Sequence, residues 1–282
     1  MNLKIKIKMK KMSVILAAIS LAAFSQSVNA QDHGHLNVGA VSTSQNAQLT
    51  FDNGADFATN VDYVYTLSRA TNGTYNGYFQ GNITLTALAA TTAHSGPIPN
   101  APALGSFIYA QLVGVDGPAG GAFGFWESGA TNPTIQLACG TTGTNTWNLS
   151  QNNGAAGTDP YGHIHGRRFT ATQPGFYTVS FRALDFSTNG TGGGAIHTAS
   201  DILKIYFQAG INIQSIEPDD DHTHVRFGAK LGTNWIVQAT SSLSATNWQD
   251  VGTPQVGNDY IKEVLDETPV EGMRFFRVKS SP

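Results

Sequence analysis

The sequence predicts an all-β protein: a β-sandwich or jelly-roll-like main domain followed by a small C-terminal β-sandwich. Three observations predict it. Apolar and β-branched residues alternate with polar ones at a period of two almost throughout, as in strands with one buried face. Clusters of Gly, Asn and Pro separate these runs, among them "TNGTYNG", "DGPAGG", "QNNGAAGTDP" and "STNGTGGG", which is turn punctuation. No amphipathic helix longer than two turns is visible, and an apolar fraction of 40% suffices for a packed core.

Taken in order, residues 1–30 read as a leader. Lys4, Lys6, Lys8, Lys10 and Lys11 form a positive stretch, Val14 to Phe24 an apolar core, and Val28-Asn29-Ala30 a small-x-small cleavage signal, the layout of a secretory signal peptide. The apolar run is too short to span a bilayer comfortably, and no second run of membrane length follows. Export is therefore expected, with the mature chain soluble or held at a surface by other means. The main domain is expected over 31–210. Its strand candidates are 61–68 (VDYVYTLS), 81–88 (GNITLTAL), 105–115 (GSFIYAQLVGV), 134–138 (TIQLA), 175–185 (GFYTVSFRALD) and 202–208 (ILKIYFQ). A break is expected near 208–221, ending in three aspartates, and a second module over 214–282. There Trp235 to Val237 lie in one strand, a turn tucks Trp248 onto a face, and "MRFFRVKS" is the final strand.

Charge narrows the partners. Five of the sixteen basic residues fall in the leader and none of the nineteen acidic ones, so the remainder carries eleven against nineteen, a net charge of −8. This argues against nucleic acid or anionic membrane as a partner. Cys139 is the one cysteine, so no intrachain disulfide forms, and beside "TIQLA" it reads as a small buried hydrophobe.

The chemistry concentrates in histidine. There are eight, and two His-x-His pairs lie in the expected main domain: His33 with His35, and His163 with His165 in "YGHIHGRRF". In a strand, residues i and i+2 share a face about 7 Å apart, so each pair presents two imidazoles side by side. Two converging pairs supply four nitrogens, enough for a tetrahedral zinc site. His197 is a possible further ligand, and Asp32, Asp159 or Asp185 possible acceptors for the far ring N–H groups. The alternative is that these are exposed histidines flanked by glycines. His94 reads as solvated, and His222 and His224, after three aspartates, as part of a solvated linker rather than a weak separate site. Cleavage after Ala30 would also create Gln31-Asp32-His33, an N-terminal nitrogen set suited to copper(II) or nickel(II), in competition with zinc for His33.

Two other function classes stay open. Gly157 and His163-x-His165 imitate the opening of a cupin metal motif, but Phe169 and Thr170 stand where that motif needs a glutamate. No Gly-x-Ser-x-Gly elbow is present and no catalytic pair of acids is marked, so the enzyme reading leans to no. Tyr63, Tyr65, Tyr75, Tyr78, Trp126 and Trp147 offer an aromatic platform for adhesion or glycan binding, or else core aromatics.

Resemblances add to this. The run of Trp235 to Val237, Ser242-Leu243, Trp248, Val251-Gly252, Asp266 and Arg274-Phe275-Phe276-Arg277-Val278 resembles the small, fibronectin type III-like C-terminal module of many exported bacterial proteins. It implies a structural or secretion-linked tail. "HGHLNVGA", "AFGFWES" and "GHIHGRRFTATQPGFYTVSFRA", in that order, resemble the bacterial surface-anchored domain of the choice-of-anchor M type. Asn37 stands where that family tends to carry an acid, and Arg168 where many members carry an aromatic. The resemblance implies an exported β-domain associated with metal uptake and zinc-responsive control. The expectation is an exported, non-catalytic, zinc-binding protein of the bacterial surface or periplasm.

Overall fold

The computed structural model describes residues 33–53, 62–90, 101–244, 246–268 and 272–281. The leader, Asp32 and His94 lie outside them. The described residues belong to one compact unit and are almost wholly β. In chain order the strands of the first part are β1 (His33–Ala40), β2 (Leu49–Asn53), β3 (Tyr65–Arg69), β4 (Phe79–Ala87), β5 (Ile108–Asp116), β6 (Ala122–Trp126), β7 (Ile135–Ala138), β8 (Thr141–Thr142), β9 (Thr146–Asn148), β10 (Arg168–Ala171), β11 (Gly175–Asp185) and β12 (Leu203–Ala209). The second part holds β13 (Ile213–Pro218), β14 (Thr223–Ala229), β15 (Asn234–Thr240), β16 (Gln249–Val256), β17 (Tyr260–Asp266) and β18 (Phe275–Ser281). Among the described residues the one helical element is a short 3-10 turn at Thr191–Gly193.

The first twelve strands form one sheet in the order β7-β6-β10-β4-β3-β12-β11-β5-β8, with β1 added beside β4 and β2, and β9 beside β5. Alternation decides the faces. Along β11, Tyr177, Val179, Phe181 and Ala183 are buried to 1% exposure or less, and the residues between them are half-exposed. Strands far apart in the sheet order meet through these inner side chains. Phe125 of β6 stacks on Trp147 of β9 with ring centroids 4.2 Å apart. Phe123 of β6 lies 4.8 Å from Phe207 of β12, and Phe169 of β10 lies 5.7 Å from Phe181 of β11. The sheet therefore curls over an aromatic core, since contacts of this length are impossible across a flat sheet whose strands lie about 4.8 Å apart.

The second part is two three-stranded sheets, β13-β14-β17 and β16-β15-β18, packed through Val225, Phe227, Ala229, Val237, Ala239, Val251 and Val264. Two pairs of the residues quoted for the tail are in contact. Arg274 pairs with Asp266, and Arg277 lies 4.3 Å over the Trp248 ring while bonding Gln238 at 2.8 and 2.9 Å. The two parts meet at a bonded seam. The Val64 amide donates to Asp259 (2.8 Å) and the Ile261 amide to Asp62 (2.8 Å). Lys230 of the second part donates to Ser68 Oγ of the first (2.8 Å). The expected break at the aspartates is not a linker: Asp219–His222 is the tip of the β13–β14 hairpin, closed by a 2.8 Å bond from the Asp219 amide to the His222 carbonyl.

Candidate metal centre

On β1, Leu36, Val38 and Ala40 have no exposure, so Asn37 and His35 belong to the opposite face. β1 runs parallel to β4, with His35 in register with Thr84 and His33 with Asn82. Along β4, Ile83, Leu85 and Ala87 enter the core, which leaves Asn82, Thr84 and Thr86 on the same side as His35. This polar stripe is where the Gly-His-Ile-His-Gly segment settles.

The segment is not the regular strand that its spacing suggested. It reaches β4 at a single bridge, where Ala87 and Gly162 exchange hydrogen bonds of 2.9 and 3.1 Å. It then leaves the ladder and rejoins at β10, where Phe169 pairs with Gly81. Both glycines of the motif have backbone reasons. A Cβ on Gly162 would lie 1.7 Å from the Leu149 carbonyl oxygen, and Gly166 holds φ +83°, the left-handed region that glycine occupies freely. The far end is pinned by Asn82. With its amide oriented to satisfy both neighbours, Nδ2 donates to the Arg167 carbonyl and Oδ1 accepts from Arg168, each at 2.9 Å. Arg167 is buried and bidentate to Glu127 (2.7 and 3.1 Å), with Asn148 at 3.1 Å. Such a forked pair sets position as well as charge. Asp159 accepts from the amides of Ala90 (2.9 Å) and Tyr161 (3.0 Å), tying the approach to the end of β4.

The consequence is a group of imidazoles. The His35 and His163 ring centroids are 5.2 Å apart, and those of His163 and His165 4.5 Å apart. His163 Nδ1 lies 3.2 Å from the Thr86 hydroxyl. Zinc–nitrogen bonds of about 2 Å place the centroids of two imidazoles sharing one ion about 5 Å apart, close to the spacing of each pair of rings. The side chain of His33, two residues along β1 from His35, lies outside the described residues, and with it the expected copper site.

Other expectations are corrected. His197 is buried, its Nε2 accepts the Ala103 amide (2.9 Å) and its Nδ1 donates to the Ala47 carbonyl (3.0 Å). With both nitrogens committed to main chain, it has no lone pair for a metal. Asp185 is not an acceptor for a ligand ring: its oxygens take the amides of Phe107, Ser187, Ile196 and His197 at 2.9–3.1 Å. The aromatic set is split: Tyr63 and Trp147 belong to the core and Tyr65 packs against it, while Tyr75 and Tyr78 stay half-exposed. Trp126 and Trp147 are 1% and 5% exposed, Tyr75 and Tyr78 abut Trp126 edge-on, Tyr63 packs on Tyr260 and Tyr65 on Phe207. Cys139 packs against the core, and burial, followed by the Asp116 carboxylate, pushes its thiol up from the ordinary range. A raised pKa lowers the fraction of reactive thiolate.

The linker reading of His222 and His224 also fails, because the two rings sit together on the β13–β14 hairpin. The one available signal was their His-x-His spacing. Compared with known families, curated proteins and solved structures, the chain matches none, so the resemblances above rest on the quoted motifs alone. Among the described residues no helix is long and apolar enough to cross a membrane.

Proposed function

We propose that this chain is an exported, non-catalytic β-sandwich protein of the bacterial surface or periplasm that binds zinc and serves metal handling. His35, His163 and His165 are the ligands, and His33 is the proposed fourth. The observation that carries this reading is the 5.2 and 4.5 Å spacing of the three rings. Support also comes from the anchors at Gly162 and Asn82, which set the segment against β4 before any ion arrives. Preorganised ligands reduce the ordering cost of binding. Thr86 is positioned to orient His163 through its Nδ1, leaving Nε2 for the metal, as partners of ligating histidines commonly do. The resemblance to surface-anchored domains associated with metal uptake points the same way.

The test is the zinc content of the secreted protein, purified without a histidine tag. Wild type is expected to retain one zinc more than His163→Ala/His165→Ala. Equal zinc in the two would reject the reading.

A further inference from the structure

We propose a second metal site, separate from the first, formed by Asp219, His222 and His224 on the β13–β14 hairpin. It is an open, three-ligand site for a zinc-class divalent cation, and Glu263 orients one of its ligands.

Three donor atoms converge there. His222 Nε2 and His224 Nε2 are 3.0 Å apart, and Asp219 Oδ2 lies 3.6 Å from the first and 3.8 Å from the second. Ligand atoms on a tetrahedral zinc with bonds of about 2 Å are about 3.3 Å apart. The triangle therefore matches one face of such a tetrahedron and leaves the fourth corner open. The three ligand atoms all lie within 4.8 Å of one another, and among the described residues no other group of three or more His, Cys, Asp or Glu meets that spacing.

Local structure produces the convergence. Thr223, Val225 and Phe227 alternate into the core, which sends His224 outward from β14. The closing bond between Asp219 and His222 turns the chain back, and the Asp221 amide bonds Asp219 Oδ1 at 3.2 Å. That amide takes the other carboxylate oxygen and leaves Oδ2 to face the rings. On β17, Val264 and Asp266 are buried, so Glu263 shares the outer face with His224. In register His224 lies opposite Leu265, which makes Glu263 its diagonal neighbour, within reach of a long side chain. Glu263 Oε1 lies 3.1 Å from His224 Nδ1. A carboxylate there fixes the proton on Nδ1 and turns the Nε2 lone pair toward the ion, the carboxylate–histidine–zinc arrangement.

The surroundings select a cation that exchanges with solvent. The side chains of His222 and His224 are 28% and 31% exposed, and those of Asp219 and Glu263 50%. Asp220 and Asp221 complete a run of three acids at the tip, which attracts cations. Two nitrogens and one carboxylate oxygen suit zinc rather than calcium or magnesium, which prefer all-oxygen shells.

The experiment uses the full secreted chain and cobalt(II) or zinc as probe. Titration of His222→Ala/His224→Ala is expected to show one equivalent fewer than wild type, while His163→Ala/His165→Ala keeps the hairpin equivalent. Glu263→Gln is expected to bind about ten- to a hundredfold more weakly at the hairpin, with an unchanged circular dichroism spectrum because the residue is at the surface. The proposal is overturned if His222→Ala/His224→Ala binds as many equivalents as wild type, or if Glu263→Gln binds as tightly as wild type. Because the two double variants are scored separately, failure here is distinct from failure at His35, His163 and His165.

Discussion

His35, His163 and His165 come from distant parts of the chain and meet only because β4 receives β1 along one stretch and Gly162 at its end. Asp219, His222 and His224 occupy a single hairpin, and their nearest outside partner is one strand away. The first group lies against buried threonines and a buried arginine, the second at a half-exposed tip. A site assembled over long range inherits the stability of the whole sheet. A site built on one turn depends on little beyond its hairpin.

That contrast can be broken by experiment, and the largest effect is expected at Glu127. Removing it in Glu127→Ala leaves the Arg167 guanidinium buried with Asn148 as its remaining side-chain partner. A loss of about 3 kcal/mol is expected, because an uncompensated buried charge is costly. Urea denaturation measures the loss, and metal titration is expected to show the His163 group weakened and the hairpin unchanged. Equal weakening of both would erase the distinction drawn here.

Zinc itself supplies the next effect. At free zinc about a hundred times Kd, a single site stabilises the fold by about 2.7 kcal/mol. In a domain of this size that is a rise in Tm of about 5–10 °C. Thermal melts of His163→Ala/His165→Ala with and without zinc are expected to lose the part of the rise that belongs to the first site.

Gly162→Ala comes third. The Leu149 carbonyl blocks the added methyl, so the segment must shift, at a cost of about 1–3 kcal/mol typical of overpacking. Zinc bound by the His163 group is expected to fall even though every ligand remains, and the hairpin is expected to bind as before. Full retention at both sites would show that the bridge at Ala87 does not position the histidines.

The smallest effect concerns acid. The Asp221 amide, and after it the nearby His222 and His224, hold the Asp219 carboxyl below its usual 3.8. A depressed carboxyl contributes stability that is complete above its unfolded pKa and is lost only as pH falls through the folded value. Between pH 7 and 5 Asp219 therefore stays ionised, so loss of its carboxylate is not expected to release cobalt from the hairpin in that range. An NMR titration of the Asp219 carboxylate checks this, and protonation of Asp219 above pH 5 would contradict it.

Sequence alone determined the strand content, because a period of two is a property of neighbouring residues and needs no knowledge of what covers the buried face. All six strand candidates of the main domain overlap strands, and the sheet changes between β12 and β13. The Gly-His-Ile-His-Gly motif was also legible as a place where chemistry gathers. Its strand geometry was not, since the break in pairing between Gly162 and Phe169 depends on how closely Leu149 approaches. Tertiary structure decided which histidines have lone pairs to offer. His197 looked like a ligand until Ala103 and Ala47 took both nitrogens, and His222 and His224 looked like linker until the hairpin faced them with Asp219 and Glu263. A residue's type sets what it can bond, but its partners are set by register and packing between segments that the linear order keeps apart.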